Sequence, residues 1–177
     1  MGVAQAGRQH LTEEIVGRRV RRFSTAAVLL HHAVAEHLGL GPTDHKCLDL
    51  LRERGAMTGS ALAALTGLTS GAVTGVVARL ERAGYLRREP DPHDRRKQIL
   101  SPAPERTPDL EAVFGPIRAD AAALVEGFDD HQLEAIAEFL ERSTDFTYRR
   151  AALLRAQSLM LPPVRSPHQD EGEHAHD

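Results

Sequence analysis

Thr69, Ser70, Gly71, Thr74, Arg79 and Arg82 recur at spacings that line one side of a helix, opposite Val73, Val76, Val77 and Leu80. Hydroxyls and glycine stand at its start, guanidinium groups at its end. An ordinary solvated helix face carries Glu, Lys and Gln, and avoids glycines that each cost about 1 kcal/mol relative to Ala. Here Gly71 and Gly75 would let the backbone approach another surface closely. Hydroxyls can address phosphates or base edges, and arginines can neutralise phosphates. A few residues later, Pro90-Asp91-Pro92-His93-Asp94-Arg95-Arg96-Lys97 makes a Pro/Asp turn that closes on consecutive cations. Arg95 and Arg96 could enter a minor groove, whose narrow width concentrates negative potential. Asp94 is a poor contact for a polyanion, but it can orient a neighbouring arginine through a charge-assisted hydrogen bond. The duller readings are a helix packed on a neighbouring domain and a merely solvated hairpin tip. Both become weaker because the two features adjoin.

A second group could bind metal. His31, His32, His37, His45 and Cys47 lie close in sequence, and their nitrogen and thiolate donors suit zinc. The spacing shows no i,i+4 pair on one helix with an acidic third ligand in obvious register, so neither a metal nor any other cofactor is assigned. Cys47 falls on an apolar helix face, which fits an inert buried thiol better than a redox sensor. His168, His174 and His176 sit in an acidic tail and carry no assignment. Enzyme signatures are missing: there is no Gly-rich phosphate loop, no GxSxG, no HExxH and no Cys pair with zinc-finger spacing. Asp129-Asp130 reads as a helix cap rather than a catalytic dyad, and the chain is not read as an enzyme.

These groups need elements to hold them. Ala61 to Leu65 is a short Ala/Leu helix, and Thr66-Gly67-Leu68 is a turn in which Gly67 can take a positive φ. Thr69 is an N-cap for the next helix, and Gly84 is its stop. Two helices joined by a short Gly-containing turn, the second amphipathic, form a helix-turn-helix. Tyr85–Glu89 and Lys97–Leu100 are strand candidates around the basic tip, a wing, and Ala56-Met57-Thr58 can add a third strand. Before them, Thr12 to Leu38 carries a heptad-like seam of Val16, Val20, Phe23, Ala27, Leu30 and Val34. Gly39-Leu40-Gly41-Pro42 breaks it. Thr43 then caps a helix to Arg54, with Cys47, Leu48 and Leu51 inward and Gly55 as its stop. After the wing, Pro108 to Gly127 and a last helix from Asp129 or Asp130 to about Gln157 are again amphipathic.

Net charge over the 177 residues is −3, which by itself argues against a nucleic-acid partner. Its distribution argues otherwise: Thr69 to Arg106 sums to +3 and Thr107 to Thr147 to −8. A basic head on an acidic body would orient the molecule on DNA. Aromatic residues are only 4% of the chain and Trp is absent, so the core must be aliphatic, which favours helical packing. No apolar run reaches the roughly 18 residues of a membrane span. The opening MGVAQAGRQH lacks the apolar core of a secretory signal. One cysteine excludes an internal disulfide framework and fits a reducing cytoplasm.

The run GLTSGAVTGVVARLERAGYLRREPDPHDRR resembles the winged helix-turn-helix of the multiple antibiotic resistance regulator (MarR) family. The Leu-Thr entry to the recognition helix, the RLERAGYL exit and Asp-Pro-x-Asp-Arg-Arg at the wing carry the likeness, which extends over roughly Leu11 to Arg155. Ser101-Pro102-Ala103-Pro104 departs from the family's usual Leu-Thr and Gly at that place. The resemblance implies a homodimer on an inverted-repeat operator of double-stranded DNA, usually a repressor, released by a small-molecule effector. An effector crevice would be lined, from helix spacing, by Phe23, Ala27, His31, Cys47 and Leu48. DNA contacts would come from Thr69, Ser70, Gly71, Thr74, Arg79, Arg82, Asp94, Arg95, Arg96 and Lys97.

The expected fold is mainly α with a small β wing, a winged helix-turn-helix flanked by N- and C-terminal dimerisation helices. Residues 1–10 are expected to be disordered, 11–38 to form the N-terminal dimerisation helix, 39–104 the DNA-binding domain, 105–160 the C-terminal dimerisation helices, and 161–177 a disordered acidic tail. Two alternatives stay open: a zinc- or redox-responsive regulator of the same fold, and a winged-helix protein-interaction module without DNA specificity.

Overall fold

The computed structural model describes residues 2–92, 94 and 96–160, in two units that divide between Leu124 and Val125. Within the first unit the order is α1 (Gly2–Glu13), a π-helical turn (Glu14–Arg19), α2 (Val20–His37), α3 (Pro42–Arg54), β1 (Met57–Thr58), α4 (Gly59–Thr66), α5 (Ser70–Arg82), β2 (Leu86–Pro90), β3 (Gln98–Pro102) and α6 (Thr107–Ala122). The fold is mainly helical with one small antiparallel sheet, a winged helix-turn-helix as expected.

The core forms where the valine stripe of α5 meets α3 and α4. Val76, Leu80, Leu48, Leu51 and Leu62 are each no more than 1% exposed, and each such side chain contributes about 1.5–3 kcal/mol by leaving water. The turn between α4 and α5 rests on Gly67, whose φ of 76° closes α4 in a left-handed cap that a side chain would strain. Thr58 and Thr69 cap α4 and α5, their hydroxyls accepting from the amides of Ala61 and Ala72, each at 3.2 Å. The sheet has the order β1-β3-β2, with Met57 and Arg88 flanking Leu100 and Glu89 opposite Ile99. Ser101 and Pro102 simply extend β3, Pro102 standing opposite Leu86. The next amide, of Ala103, bonds the Tyr85 carbonyl at 2.9 Å, and the Arg106 guanidinium lies 4.5 Å over the Tyr85 ring. The departure from the family pattern is therefore absorbed by one more strand pair and a cation–π contact.

Three boundaries differ from expectation. Helix begins at Gly2, not Thr12, so residues expected to be disordered continue the long N-terminal helix. Ala4, Gln5, Ala6 and Arg8 are good helix formers that can propagate a turn already nucleated further along. Helix α3 starts two residues early, with Gly41 at its cap and Pro42, whose fixed φ suits a first turn, in place of a Thr43 cap. Helix α6 stops at Ala122 and tightens into a 3₁₀ turn over Ala123–Val125, which leaves Leu124 78% exposed rather than on a continuous seam.

Within the second unit, α7 (Asp130–Met160) is a single 31-residue helix. Asp129 caps it: the Gln132 amide donates to its carboxylate at 2.9 Å, and the Gln132 side chain accepts from the Asp129 amide at 3.0 Å. This reciprocal capping box supports the reading of the paired acids as structural. The expected acidic tail, 161–177, lies outside the described residues.

Candidate nucleic-acid interface

Helix α5 presents Thr69, Ser70, Gly71, Thr74 and Arg82 to solvent while its valines are buried. Thr74 returns its hydroxyl to the Ser70 carbonyl at 2.9 Å, and Thr69 is engaged as the cap, so both remain able to accept from a ligand. A Cβ at Gly71 would meet nothing within 4 Å, so nothing among the described residues requires glycine there. Gly75 is different. A Cβ there would stand 3.3 Å from Nη1 of Arg79, so the missing side chain makes room for an arginine of the same helix.

The sequence places Arg79 among the DNA contacts, and in the structure its guanidinium is engaged within the chain. Its Nε and Nη2 each donate to the Asp44 carboxylate at 2.7 Å, a bidentate pair across 35 residues of sequence. The Asp44 side chain is 6% exposed and that of Arg79 52%. Asp44 raises the Arg79 pKa further through these hydrogen bonds and its charge. The fork geometry that suits phosphate is spent on carboxylate, and Arg79 ties the recognition helix to α3.

The wing is organised by its acids. The Asp94 amide donates to Asp91 at 3.3 Å, and Asp94 in turn accepts from the Arg96 amide at 3.1 Å. The Lys97 amide bonds the Asp94 carbonyl at 2.8 Å, and its ammonium stands 3.5 Å from the Asp94 carboxylate. Asp94 thus shapes the tip through the Arg96 amide and Lys97, rather than through the guanidinium of a described arginine. The side chains of Arg96 and Lys97 are exposed, whereas Arg95 lies outside the described residues. Arg87 and Arg88 are held by Glu105 and Glu81. Among the described residues Arg82 and Arg96 carry no ion pair, so they are cations to set against phosphates. Between α5, the start of α4 and the wing, an open cleft brings together Thr58, Ser60, Thr74, Arg88, Lys97 and Gln98.

The five residues expected to line an effector crevice do not enclose one within the single chain. Cys47 and Leu48 are each 1% exposed in the core, and Phe23 is 68% exposed. Only Ala27 and His31 stand half-buried between these extremes. Burial raises the Cys47 thiol to about 11, and the Asp44 carboxylate adds to the rise, so the thiol stays protonated and inert. Of the possible metal donors, His32 and His37 are exposed. His31 and His45 approach each other, and the acid that joins them is Asp49, absent from the set of donors expected from the sequence. It lies four residues after His45, one turn along the same helix face, a spacing that could have found it. Asp44 carries no such local signal, since only the packing of α3 on α5 brings it to Arg79.

A family model described as the MarR family matches residues 40–97, the stretch from α3 to the wing. An uncharacterised helix-turn-helix transcriptional regulator of Bacillus subtilis, YcgE, is 40% identical over 125 residues, covering 71% of this chain and 81% of its own. Among solved structures, apo MarR from Escherichia coli has a TM-score of 0.54 at 19% identity, over 72% of this chain and 95% of that one. Bordetella bronchiseptica BpsR, whose DNA binding is regulated by 6-hydroxynicotinic acid, has a TM-score of 0.52 at 24% identity, over 75% and 95%. At such identities the structural likeness speaks for the fold, while the Bacillus relative speaks for descent. No single helix among the described residues is long and apolar enough to cross a membrane. The chain belongs to the MarR family of DNA-binding transcriptional regulators.

Proposed function

We propose that the chain works as a homodimer that represses transcription from an inverted-repeat operator and releases it when a small organic ligand binds. The observation that carries the reading is the outward face of α5, where hydroxyls and an unneeded glycine precede a free arginine beside a basic wing. Thr69, Ser70, Gly71 and Thr74 are assigned to base edges and nearby phosphates. Arg82, Arg96 and Lys97 are assigned to phosphates, with Arg95 placed beside them on sequence grounds alone. Residues 39–104 form the reading head in this account, and the helices before and after it serve dimerisation.

Support for a dimer comes from large apolar side chains that stand exposed among the described residues of each unit. Phe23 and Leu30 in the first unit are 68% and 47% exposed, and Phe146 and Leu154 on α7 are 62% and 52% exposed. Each would contribute up to about 1.5–3 kcal/mol if fully covered. A two-fold axis in the protein is matched by an inverted repeat in the DNA. The regulation of BpsR by 6-hydroxynicotinic acid supports a ligand response. With Cys47 and Leu48 committed to the core, Phe23, Ala27 and His31 are the contacts we assign to such a ligand, in a crevice completed by the second copy. The ligand would favour a spacing of the recognition helices that no longer fits successive major grooves. Footprinting on the DNA upstream of the protein's own gene, with the mass of the complex measured in solution, tests this. Two protomers on an inverted repeat are expected, and one protomer on an asymmetric site would overturn the dimeric reading.

A further inference from the structure

We propose that His31 of α2 together with His45 and Asp49 of α3 forms a binding site for a divalent transition-metal ion of the zinc class. The three residues offer donor atoms that all lie within 4.8 Å of one another, although α2 and α3 are separated by the Gly39–Gly41 break. Nδ1 of His31 stands 3.4 Å from Oδ2 of Asp49. Two ligands on one tetrahedral zinc, at about 2.0–2.1 Å from the metal, are about 3.3 Å apart, so this pair already has the separation that a shared ion imposes. Nδ1 is nevertheless buried and makes no hydrogen bond, to Asp49 or to any other group among the described residues. A solvent-excluded ring nitrogen beside a carboxylate, at ligand spacing yet out of hydrogen-bond alignment, has the arrangement of two donors that share a cation.

His45 completes the set. It is 2% exposed, its ring centroid is 5.5 Å from that of His31, and it stacks at 6.1 Å on Phe114 of α6. Bringing its donor to tetrahedral spacing requires a closure of at most about 1.5 Å, within reach of side-chain rotation. The other carboxylate oxygen of Asp49 is 4.0 Å from Arg52, whose guanidinium lies 5.1 Å over the Phe114 ring. Arg52 can thus fix the carboxylate from behind while Oδ2 faces the metal, as the partners of ligating carboxylates commonly do. Two imidazoles and one carboxylate with an open position suit zinc, and the lack of thiolate argues against the softer ions. Cys47 does not join them; its neighbours are Asp44 and Arg79. Asp44, which holds the recognition helix, is the residue next to His45.

The test needs no DNA, so it stands or falls apart from the operator reading. Zinc chloride is titrated into the full chain by calorimetry, and cobalt(II) is added separately to read the intense visible bands of a tetrahedral site. Wild type is compared with His31→Gln and Asp49→Asn, both at partly exposed positions, with circular dichroism confirming that each is folded. One zinc per protomer is expected, weakened at least tenfold in each variant, with the cobalt bands lost. The thermal midpoint of the wild type should rise with zinc, and that of the variants should rise much less. Zinc bound equally well by wild type and both variants would place the metal elsewhere, on the histidines beyond residue 160 for example, and would overturn the site. So would a wild type that takes up no zinc at 100-fold molar excess.

Discussion

Replacing Arg79 by Ala separates a strut from a DNA contact. In the structure Nε and Nη2 of the guanidinium fork are both on Asp44 at 2.7 Å, so the side chain should neutralise no phosphate. The slope of log K against log salt should then stay at its wild-type value. Were Arg79 to neutralise one phosphate in each of two protomers, its removal would make the slope shallower by about 1.8, since each neutralised phosphate accounts for about 0.9. Stability should respond instead. Asp44 is 4% exposed, so Arg79→Ala strands a buried carboxylate, while Asp44→Ala leaves a half-exposed guanidinium that water can solvate. Arg79→Ala should therefore lower the thermal midpoint more than Asp44→Ala. The double variant should be no worse than Arg79→Ala alone, because both substitutions remove the same pair. Fluorescence anisotropy at several salt concentrations gives the slopes, and thermal denaturation gives the midpoints. A slope shallower by nearly 2 with an unchanged midpoint would refute the strut.

Gly71→Ala should leave the free protein as stable or slightly more so, since a Cβ there meets nothing within 4 Å, yet weaken operator binding tenfold or more; unchanged affinity would mean that the backbone does not approach DNA there. Arg96→Ala should flatten the salt slope by about 0.9 per protomer without altering the melting curve, and a steep slope retained would remove Arg96 from the interface. Cys47 should resist thiol reagents in the native state: a pKa of about 11 instead of 9.0 lowers the thiolate near pH 8 about 100-fold, before burial slows access further. Because the folded value is raised, this thiol's contribution to stability is full below about pH 9 and fades as pH climbs towards 11; rapid labelling of the native protein at pH 8 would contradict both statements. Phe146→Glu should shift the mass measured by light scattering from dimer towards monomer, and a dimer undisturbed by that change would take α7 out of the interface.

Local patterns make the reading head legible in the sequence. The spacing of Val73, Val76, Val77 and Leu80, the cap Thr69 and the turn at Gly67 each depend on neighbours within a few residues, and local physics decides them. Pairings across distance are not legible. Nothing near Arg79 in the chain announces Asp44, so an arginine on an outward face reads as a phosphate ligand. Asp49 escapes notice because its partner His31 lies across a helix break, although its spacing from His45 is visible. The N-terminal residues mislead because MGVAQAGRQH offers few large apolar side chains to mark a buried face, whereas good helix formers need only a nucleated neighbour. Helix spacing already turns Cys47 and Leu48 inward, and the structure buries both, so drawing them into an effector crevice as well asked two roles of the same side chains.

The most direct test of the central claim is a titration of the protein against its own upstream DNA and against a scrambled duplex of the same length and composition, both at physiological salt. Sequence reading through α5 requires the natural site to be bound at least about 10³-fold more tightly, with the preference surviving as salt rises and overall affinity falls. Equal affinity for the two duplexes at every salt concentration would mean that the helix meets DNA by charge alone, and the account of Thr69, Ser70, Gly71 and Thr74 as the residues that read the operator would be wrong.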